Sequence, residues 1–563
     1  MRQWILQQML LASLLFFPLI ASLQAQEVSG FRTQRLPVEK KALADTTQVS
    51  VSSSSADLHQ ATVRNLLDKG YQLEREQLWS DALVHYEDAS RRFPNQIDIR
   101  QRLQVVRIQY DLSRRYADGS FVHSTRRLAA KDALDLYREV CVKIQSHYVE
   151  SPDWPALLQR GIRNIEVALR DEDFANVNRV QLSEEQNQQF VRYLLQQVAS
   201  HPIPDRETAA SFALKMAEIG EQQLRIPAVA TILEFVCGAT SSLDEYSTFL
   251  TPEQLDDVYS QIEGNFVGLG IELKSNNGSL LITNVIRNGP ADRAGIQAQE
   301  RIIEVDNQSM KEISTDKAAD LLKGEAGTIV QVVMQDPEGN ARRVNVRRER
   351  VEVPSVEDVR MLDPEAGIGY LKLTSFQKTT SRDVDAALWN LHRQGLKSLI
   401  VDVRGNPGGL LTQSVEIADK FVTEGTIVST RGRSPREDFD YKAHRTGTWR
   451  VSLVVLIDKD SASASEIFAG AIHDHRRGTI VGHRSYGKGS VQGIFPLRTG
   501  KAGVRLTTAK FYSPNGNPIS NHGVHPDIAV RDDETVAGED SESDPVLSAG
   551  IEAARQSVAQ RSR

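Results

Sequence analysis

The sequence has only two cysteines and little excess charge, and each shortage excludes a class of protein. Cys141 and Cys237 are too few for a disulfide scaffold, and they lack metal-ligand spacing. Whether they pair stays open, although two unpaired, buried thiols are the expectation. With 67 basic against 74 acidic residues the net charge is −7, which disfavours a nucleic-acid-binding protein.

Long hydrophobic runs are also missing beyond the first residues. No later segment reaches the roughly 18 uninterrupted apolar residues of a membrane helix, so we expect no transmembrane span in the mature chain. Arg2 precedes a short apolar stretch, Met9 to Leu23, and residues 1–25 are typical of a secretory signal peptide. Because Leu23 is large for its place before Ala25, an uncleaved anchor is the alternative. We therefore expect a periplasmic or secreted protein, membrane-anchored if the signal is uncleaved.

The composition is that of a globular protein, with 40% hydrophobic and 25% charged residues, and the length of 563 residues predicts several domains. Changes of pattern along the chain suggest their boundaries. We expect a polar linker over 26–57, a helical region resembling a tetratricopeptide repeat over 58–125, further helices over 126–255, a small β domain over 256–350, an α/β core over 351–530 and an acidic tail over 531–563. The part of this tail from Arg531 to Pro545 carries seven acidic residues and should be solvated.

One amino-terminal segment has the spacing of a single tetratricopeptide repeat, with small residues where two helices touch and an aromatic residue between them. The residues are Gly70, Ala82, Tyr86, Ala89 and Pro94. A single repeat cannot bury its own apolar face. It therefore serves either self-association or adaptor docking, or it packs on the rest of the chain, and the sequence favours neither.

The small β domain opens with two glycines that let a loop curl around a carboxylate. The loop comprises Phe266, Val267, Gly268, Leu269, Gly270 and Ile271. The strand starting at Ile271 offers an edge to which an extended peptide can add. Together with the later segments 290–296 and 302–306, the loop resembles a PDZ domain of the protease-associated type. A peptide-contacting role for Lys323 stays open.

In the α/β core, three segments have the composition of an enzyme site. Residues 401–410 read as a buried strand followed by a Gly/Pro turn, where backbone N–H groups can stabilise an oxyanion. Residues 461–466 put Ser463 among small residues at a strand-to-helix turn, as an exposed nucleophile requires. Residues 485–492 contain Lys488 between two glycines.

Each segment also has a structural explanation. Ser463 and Glu466 fit a helix capping box. The run from Gly482 to Lys488 approaches a phosphate-binding loop, but Gly489 occupies the Ser/Thr position, so we expect no nucleotide cofactor. Residues 473–475, His-Asp-His, lack a third ligand, so no metal is expected.

Taken together, residues 242–528 resemble the carboxyl-terminal processing peptidases, or tail-specific proteases. The motifs are Ser-Ala-Ser-Ala-Ser-Glu-Ile from Ser461 and Tyr-Gly-Lys-Gly-Ser-Val-Gln from Tyr486. The resemblance implies that Ser463 is the nucleophile, Lys488 the general base and Gln492 the residue that orients the lysine. It also implies that the N–H groups of Ala464 and Gly409 form the oxyanion hole.

The chemistry agrees with this resemblance. A serine hydroxyl needs a base, and a lysine serves as one only when burial lowers its pKa below about 10.4. A Ser–His–Asp enzyme is disfavoured because none of the 12 histidines lies in a comparable turn. We expect a secreted serine endopeptidase that recognises carboxyl-terminal tails of proteins. The alternative is a non-catalytic scaffold of PDZ and tetratricopeptide surfaces.

Overall fold

The computed structural model describes residues 52–276, 279–311, 313, 315–444, 446–531 and 544–561. Residues from Val63 onward form one compact unit, and all contacts given below lie within it. The predicted signal peptide lies outside the described residues, as does the predicted linker up to residue 51.

The helices are α1 Ser52–Arg75, α2 Trp79–Arg92, α3 Ile97–Ala117, α4 Gly119–Arg127, α5 Ala130–His147, α6 Trp154–Ala168, α7 Glu172–Asn178, α8 Glu184–Ser200, α9 Arg206–Leu224, α10 Ala228–Ser241, α11 Pro252–Glu263, α12 Pro290–Arg293, α13 Thr315–Leu322, α14 Thr380–Arg393, α15 Leu411–Asp419, α16 Ala464–Asp474 and α17 Pro545–Arg561.

The strands are β1 Thr248–Leu250, β2 Asn265–Gly268, β3 Ile271–Asn276, β4 Ser279–Val285, β5 Arg301–Val305, β6 Gln308–Ser309, β7 Ile329–Gln335, β8 Ala341–Arg347, β9 Glu349–Glu352, β10 Val356–Asp363, β11 Ile368–Leu373, β12 Ser398–Asp402, β13 Thr426–Gly432, β14 Phe439–Lys442, β15 Ser452–Ile457, β16 Thr479–Gly482, β17 Ser490–Pro496, β18 Gly503–Tyr512 and β19 Ile528–Ala529.

The amino-terminal residues with tetratricopeptide spacing lie where helices meet. Ala82, Tyr86 and Ala89 on α2 are fully buried, and Gly70 on α1 lies against the Tyr86 ring, which leaves no room for a Cβ there. The Tyr86 hydroxyl donates to Glu74 at 2.8 Å. These contacts hold the helices together by small-residue packing, whether or not the segment functions as a repeat.

Helices α3 to α10 bury one large apolar core. This core extends onto a sheet with the strand order β1-β18-β13-β14, in which β17 also pairs with β18. Phe249 on β1 and Val504 on β18 belong to the same apolar cluster as the helices. Inside it, Arg115 and Glu234 form a buried ion pair at 2.8 Å. Cys141 and Cys237 are free and buried here, and burial raises the pKa of both thiols to about 12, so the expectation of two unpaired thiols is confirmed.

The predicted β domain is a separate small core around the sheet β3-β4-β5-β7-β8, with β6 on β5. A two-stranded ribbon of β2 and β9 joins its two ends. Strand β3 pairs with β4 on one side only, so its other side is an edge of the sheet. Strand β3, which begins at Ile271, is therefore available for β-augmentation by an extended peptide.

The α/β core is a six-stranded sheet in the order β10-β11-β12-β15-β16-β19, parallel except for the edge strand β10. Alternate residues face opposite sides, as the pleat requires. Leu399, Val401, Leu453 and Val455 pack with α14, α15 and α16, whereas Ile400, Val454 and Leu456 pack with α17. Both faces are covered, which explains the continuous apolar runs of these strands. The predicted architecture, an α/β core with a small β domain before it and a helical region at the amino-terminal side, is confirmed.

Two expectations about chain segments are wrong. Residues 545–561, assigned to the acidic tail, do not form a tail. They form α17, which covers one sheet face with Val546 and Ala554, while Asp544 pairs with Arg404 at 2.8 Å. The predicted linker also ends early, because α1 begins at Ser52 rather than after residue 57. Within the described residues, no helix is long and apolar enough to cross a membrane.

Candidate active site

Ser463 lies at the turn between β15 and α16, at the carboxyl end of a central parallel strand, where sites of open α/β sheets form. Its backbone is strained, with φ +56° and ψ −111°, and its side chain lines a cavity. The neighbouring serines differ: the Ser461 hydroxyl donates to Val403 O at 2.8 Å and the Ser465 hydroxyl to Asn406 O at 2.9 Å. Of the three serines, Ser463 is therefore the one on the cavity wall.

A second turn, after β12, packs directly against the Ser463 turn. A Cβ on Gly408 would lie 2.8 Å from both Ala462 O and the Ser463 Cβ, so only glycine allows this approach. Gly409 follows at φ +141° and forms a parallel bridge with Phe376. The bridge uses Gly408 O and Leu410 N rather than the Gly409 N–H.

Both predicted oxyanion donors therefore lie beside the Ser463 turn. Ala464 is the first residue of α16, and N–H groups in a first helical turn have no intrahelical acceptor. The Gly409 N–H is the second predicted donor, and the bridge with Phe376 does not use it. Such donors can stabilise negative charge on a carbonyl oxygen.

Asn406 ties the two turns together, and the sequence analysis did not single it out. It is fully buried; its Nδ2 donates to Leu373 O at 2.8 Å, and its Oδ1 accepts from Gly408 N at 2.9 Å. Its carbonyl accepts from Ala462 N at 3.0 Å. No motif at the sequence level distinguishes an asparagine with this role from an ordinary turn residue.

Lys488 has a perturbed environment. Burial chiefly, together with repulsion from the Arg505 guanidinium, lowers its pKa to about 8, against weaker opposing attraction from Glu245, Glu466 and Asp244. Its Nζ lies 4.6 Å from the centroid of the Tyr246 ring. Arg505 Nε in turn donates to Tyr246 O at 3.0 Å. A lysine with this pKa carries a substantial neutral fraction near physiological pH.

Glu466 connects the serine turn to the lysine loop through one buried carboxylate. Its Oε2 accepts from Ser463 N at 2.8 Å and from Lys488 N at 2.9 Å. Its Oε1 accepts from Ser485 Oγ and Gly487 N, both at 2.6 Å. Burial raises the pKa of Glu466. The capping interaction expected from the sequence exists at Ser463 N, but it is one of four.

Gln492 lies on β17 and lines the same cavity as Ser463 and Lys488. Its Nε2 donates to Ser490 O at 3.1 Å and Ser490 Oγ at 2.8 Å. In this arrangement the amide is anchored by Ser490. Its orienting role toward Lys488 stays a prediction.

One cavity of about 810 Å³ brings the predicted residues together. Ser463, Lys488, Gln492 and Gly409 line it. Phe266, Gly268, Leu269 and Ile271 of the PDZ loop line it as well, whereas Val267 and Gly270 belong to the loop but not to the wall. The tail-binding loop predicted from the sequence thus opens into the space that holds the serine and the lysine.

Other charged residues border this space. Lys323 pairs with Asp257 at 2.9 Å, and both line the cavity. A second cavity of about 300 Å³ shares Asp257 and Arg505 with the first and reaches helices α2 and α3. The Arg91 guanidinium on α2 lies 4.9 Å from the Tyr486 ring, two residues before Lys488. Among the described residues, no cluster of His, Cys, Asp or Glu has the arrangement of a metal site.

Comparison with known proteins agrees with this geometry. Residues 367–530 match the model of peptidase family S41, and residues 260–335 match that of the PDZ domain. The chain is 36% identical to a carboxy-terminal-processing protease of Bartonella bacilliformis, over 57% of this chain and 75% of that protein. It is 30% identical to a Staphylococcus epidermidis protein named "Probable CtpA-like serine protease", over 51% of this chain and 58% of that one.

A solved photosystem II D1 C-terminal processing protease is also similar, with a TM-score of 0.38 and 25% identity over 75% of this chain and 96% of that one. The two family models together cover the PDZ domain and the part of the core that contains Ser463 and Lys488. A serine-type peptidase, rather than the non-catalytic scaffold considered as an alternative, is what these relatives support. The chain belongs to the carboxy-terminal-processing proteases of peptidase family S41 and carries the PDZ domain of that family.

Proposed function

We propose that this chain is an extracytoplasmic endopeptidase that captures the carboxyl-terminal tails of proteins with its PDZ domain and hydrolyses peptide bonds with a Ser463–Lys488 dyad. The observation that carries the proposal is the shared cavity. Ser463, Lys488 and the PDZ loop residues from Phe266 to Ile271 border one space of about 810 Å³. A tail held at the loop therefore has a continuous path to the serine.

Lys488 acts as the general base in this mechanism. Its lowered pKa, about 8, leaves part of the population neutral, and a neutral Nζ accepts the proton of the Ser463 hydroxyl. The serine Oγ then forms a bond to the carbonyl carbon of the substrate. The Tyr246 ring, 4.6 Å from Nζ, restricts where the amine can go. Gln492 lines the same cavity, and we propose that it orients the lysine.

The carbonyl oxygen becomes an oxyanion in this step, and the N–H groups of Gly409 and Ala464 stabilise it. Collapse breaks the C–N bond, and the protonated lysine gives its proton to the leaving amine. Water then attacks the acyl ester, with Lys488 taking its proton. Collapse of the second tetrahedral intermediate breaks the bond from the acyl carbon to Ser463 Oγ, to which the lysine returns that proton. The carboxylic acid product leaves, and the Ser463 hydroxyl is restored.

The Phe266–Ile271 loop selects the substrate. Backbone N–H groups of the loop bind the terminal carboxylate, and the edge strand β3 pairs with the residues before it. The free edge of β3 supports this mode. The proposed partners are therefore protein carboxyl-terminal tails; a docking role for the amino-terminal helices, with self-association or an adaptor, stays a prediction.

Secretion and the domain limits complete the proposal. The apolar segment from Met9 to Leu23 after Arg2 supports export through a signal peptide of residues 1–25. We begin the first helical region at Ser52, where α1 starts, and retain the limits 126–255, 256–350 and 351–530 for the later helices, the PDZ domain and the core.

The test is mass spectrometry of a protein substrate incubated with purified wild type and with Ser463→Ala. We expect cleavage by wild type and at least a roughly 10³-fold loss of turnover in the variant, because removing a member of a catalytic dyad abolishes its function. Ser461→Ala and Ser465→Ala are the matched controls, since those hydroxyls donate to backbone carbonyls and should keep most activity. Comparable cleavage by Ser463→Ala would refute the nucleophile assignment.

A further inference from the structure

Two residues that line the catalytic cavity, Gln377 and Asn265, each carry a carboxamide oxygen without a hydrogen-bond partner among the described residues. Gln377 is 7% exposed, and its Oε1 is buried without a partner among the described residues. Oδ1 of Asn265 is buried in the same way. Both residues line the cavity that holds Ser463 and Lys488. Buried polar atoms are nearly always paired in proteins. These two oxygens have almost no accessible surface, so we expect their carboxamides to turn toward a partner when a ligand enters the cavity.

The backbone around Gln377 is firmly held, so the free carboxamide does not reflect a loose segment. Gln377 N donates to Thr380 Oγ1 at 2.8 Å, and Gln377 O accepts from Thr380 N at 3.1 Å. On one side Phe376 N donates to Gly408 O at 2.9 Å, and on the other Lys378 N donates to Ile262 O at 3.1 Å. The carboxamide thus projects from a fixed turn.

The carboxamides of Gln377 and Asn265 lie between the tail-binding loop and Ser463. Asn265 directly precedes Phe266 at the start of β2. Gln377 Oε1 is the atom nearest to where a Cβ of Gly264 would lie. Its neighbour Phe376 bridges to Gly409, beside the Ser463 turn. A polypeptide that runs from the PDZ loop to Ser463 passes these groups.

We propose that Gln377 and Asn265 form a subsite that hydrogen-bonds the main chain of an extended substrate between its captured tail and the scissile bond. A carboxamide offers a carbonyl acceptor and an N–H₂ donor, which match the N–H and C=O groups of an extended peptide. Binding the main chain fixes the register of the substrate at Ser463 whatever its side chains are. This inference rests on the proposed function and assigns two further positioning residues to it.

The test uses peptides in which one backbone amide at a time, outside the scissile bond, is replaced by an ester that lacks the N–H donor. For wild type we expect one position at which the ester lowers kcat/KM roughly three- to tenfold, the size of one hydrogen bond. In Gln377→Met or in Asn265→Leu, kcat/KM of the all-amide peptide should fall by a similar factor. In the variant, the peptide with the ester at that position should have the same kcat/KM as the all-amide peptide.

Thermal unfolding separates this role from a structural one. Replacing an unpaired buried carboxamide by an apolar group of similar size should leave Tm unchanged or raised. Gln413→Met is the matched control, because Gln413 is equally buried but accepts from Ser381 N at 2.9 Å and donates to Glu416 at 3.1 Å. Gln413→Met should lower Tm, and in this variant the ester should still lower kcat/KM as it does in wild type.

An ester profile that is identical in wild type, Gln377→Met and Asn265→Leu overturns the inference. So does a fall in Tm of Gln377→Met as large as that of Gln413→Met. If Ser463→Ala still cleaves the peptides, the proposed function fails first. If wild type cleaves, Ser463→Ala does not and the ester profile is unchanged, the subsite alone fails.

Discussion

At the scale of single residues, the state of Lys488 is set by competing neighbours. Burial and the Arg505 guanidinium disfavour its charged form, whereas Glu466, Glu245 and Asp244 favour it. The Tyr246 ring, 4.6 Å from Nζ, also favours the cation through its π face. The balance lowers the pKa to about 8, because desolvation outweighs the attractive charges.

The first prediction concerns the pH dependence of the reaction. The base must be neutral, so kcat/KM should rise with pH through one ionisation with a midpoint near 8 and level off above it. Lys488→Arg should be inactive across the range, because a guanidinium keeps its proton in proteins. A kinetic pH profile of both enzymes checks this. An active Arg variant would reduce Lys488 to an electrostatic role.

The second prediction isolates the contribution of Arg505. Arg505→Gln removes a positive charge beside Lys488, so the pKa of the lysine should rise. The midpoint of the rise in kcat/KM should then move to higher pH. Arg505→Lys keeps the charge and should leave the midpoint of the kcat/KM profile unchanged. An unmoved midpoint in the Gln variant, with normal folding by circular dichroism, would show that burial alone sets the pKa.

Among three nearby serines, the sequence pattern pointed to Ser463, and the structure shows why local chemistry alone could not decide. The hydroxyls of Ser461 and Ser465 are bound to backbone carbonyls, Val403 O and Asn406 O, whereas Ser463 lines the cavity. Those acceptors lie 58 and 59 residues away along the chain. The choice came from resemblance to a family, because no local rule encodes such distant partners.

At the scale of elements, helix α16 and the Ser485–Lys488 loop are joined by the Glu466 carboxylate. Two of its four donors are the backbone N–H groups of Ser463 and Lys488. The carboxylate therefore holds the backbones of the proposed nucleophile and base together without touching the reacting atoms. It acts as a positioning residue.

The third prediction follows from this contact. Glu466→Gln leaves one carbonyl oxygen for four donors and places an N–H₂ group against N–H groups, so kcat should fall roughly tenfold or more and Tm should drop. Glu416→Gln, the same change at an exposed position of α15, should alter neither. Steady-state kinetics and thermal unfolding measure both effects. Unchanged kcat in Glu466→Gln would mean that the loop is held by other contacts.

The strands of the core were predictable from their composition. The continuous apolar, β-branched runs at 398–403 and 452–458 are typical of strands that a parallel sheet buries on both faces, and β12 and β15 lie there. Helix α17 was missed. It follows an acidic stretch and is rich in alanine, so its place on the sheet depends on tertiary contacts of Val546 and Ala554 that periodicity does not reveal.

The unpaired carboxamides of Gln377 and Asn265 lay equally beyond sequence reasoning. Neither residue belongs to a motif, and a missing hydrogen bond is visible only when every neighbour is in place. The same holds for Asn406, whose partners come from three separate segments of the chain.

At the scale of the whole molecule, the tail-binding domain and the hydrolytic core border one cavity. The ribbon of β2 and β9 and helix α11 lead from one to the other, and Gly264 at the end of α11 contacts Gln377 of the core. Lys323 of the PDZ domain pairs with Asp257 of α11 at 2.9 Å. The proposed recognition of a tail and the proposed cleavage thus share one continuous space.

The central claim, that a free carboxyl end selects the substrate for Ser463, is tested most directly by two peptides that differ only in a terminal carboxylate or amide. Their kcat/KM values are compared at sub-saturating concentration. A charge-assisted hydrogen bond contributes roughly 1.5–3 kcal/mol, so the acid should be cleaved about ten- to a hundredfold faster than the amide. Equal rates for the two peptides would contradict the account and leave an endopeptidase that does not read carboxyl termini.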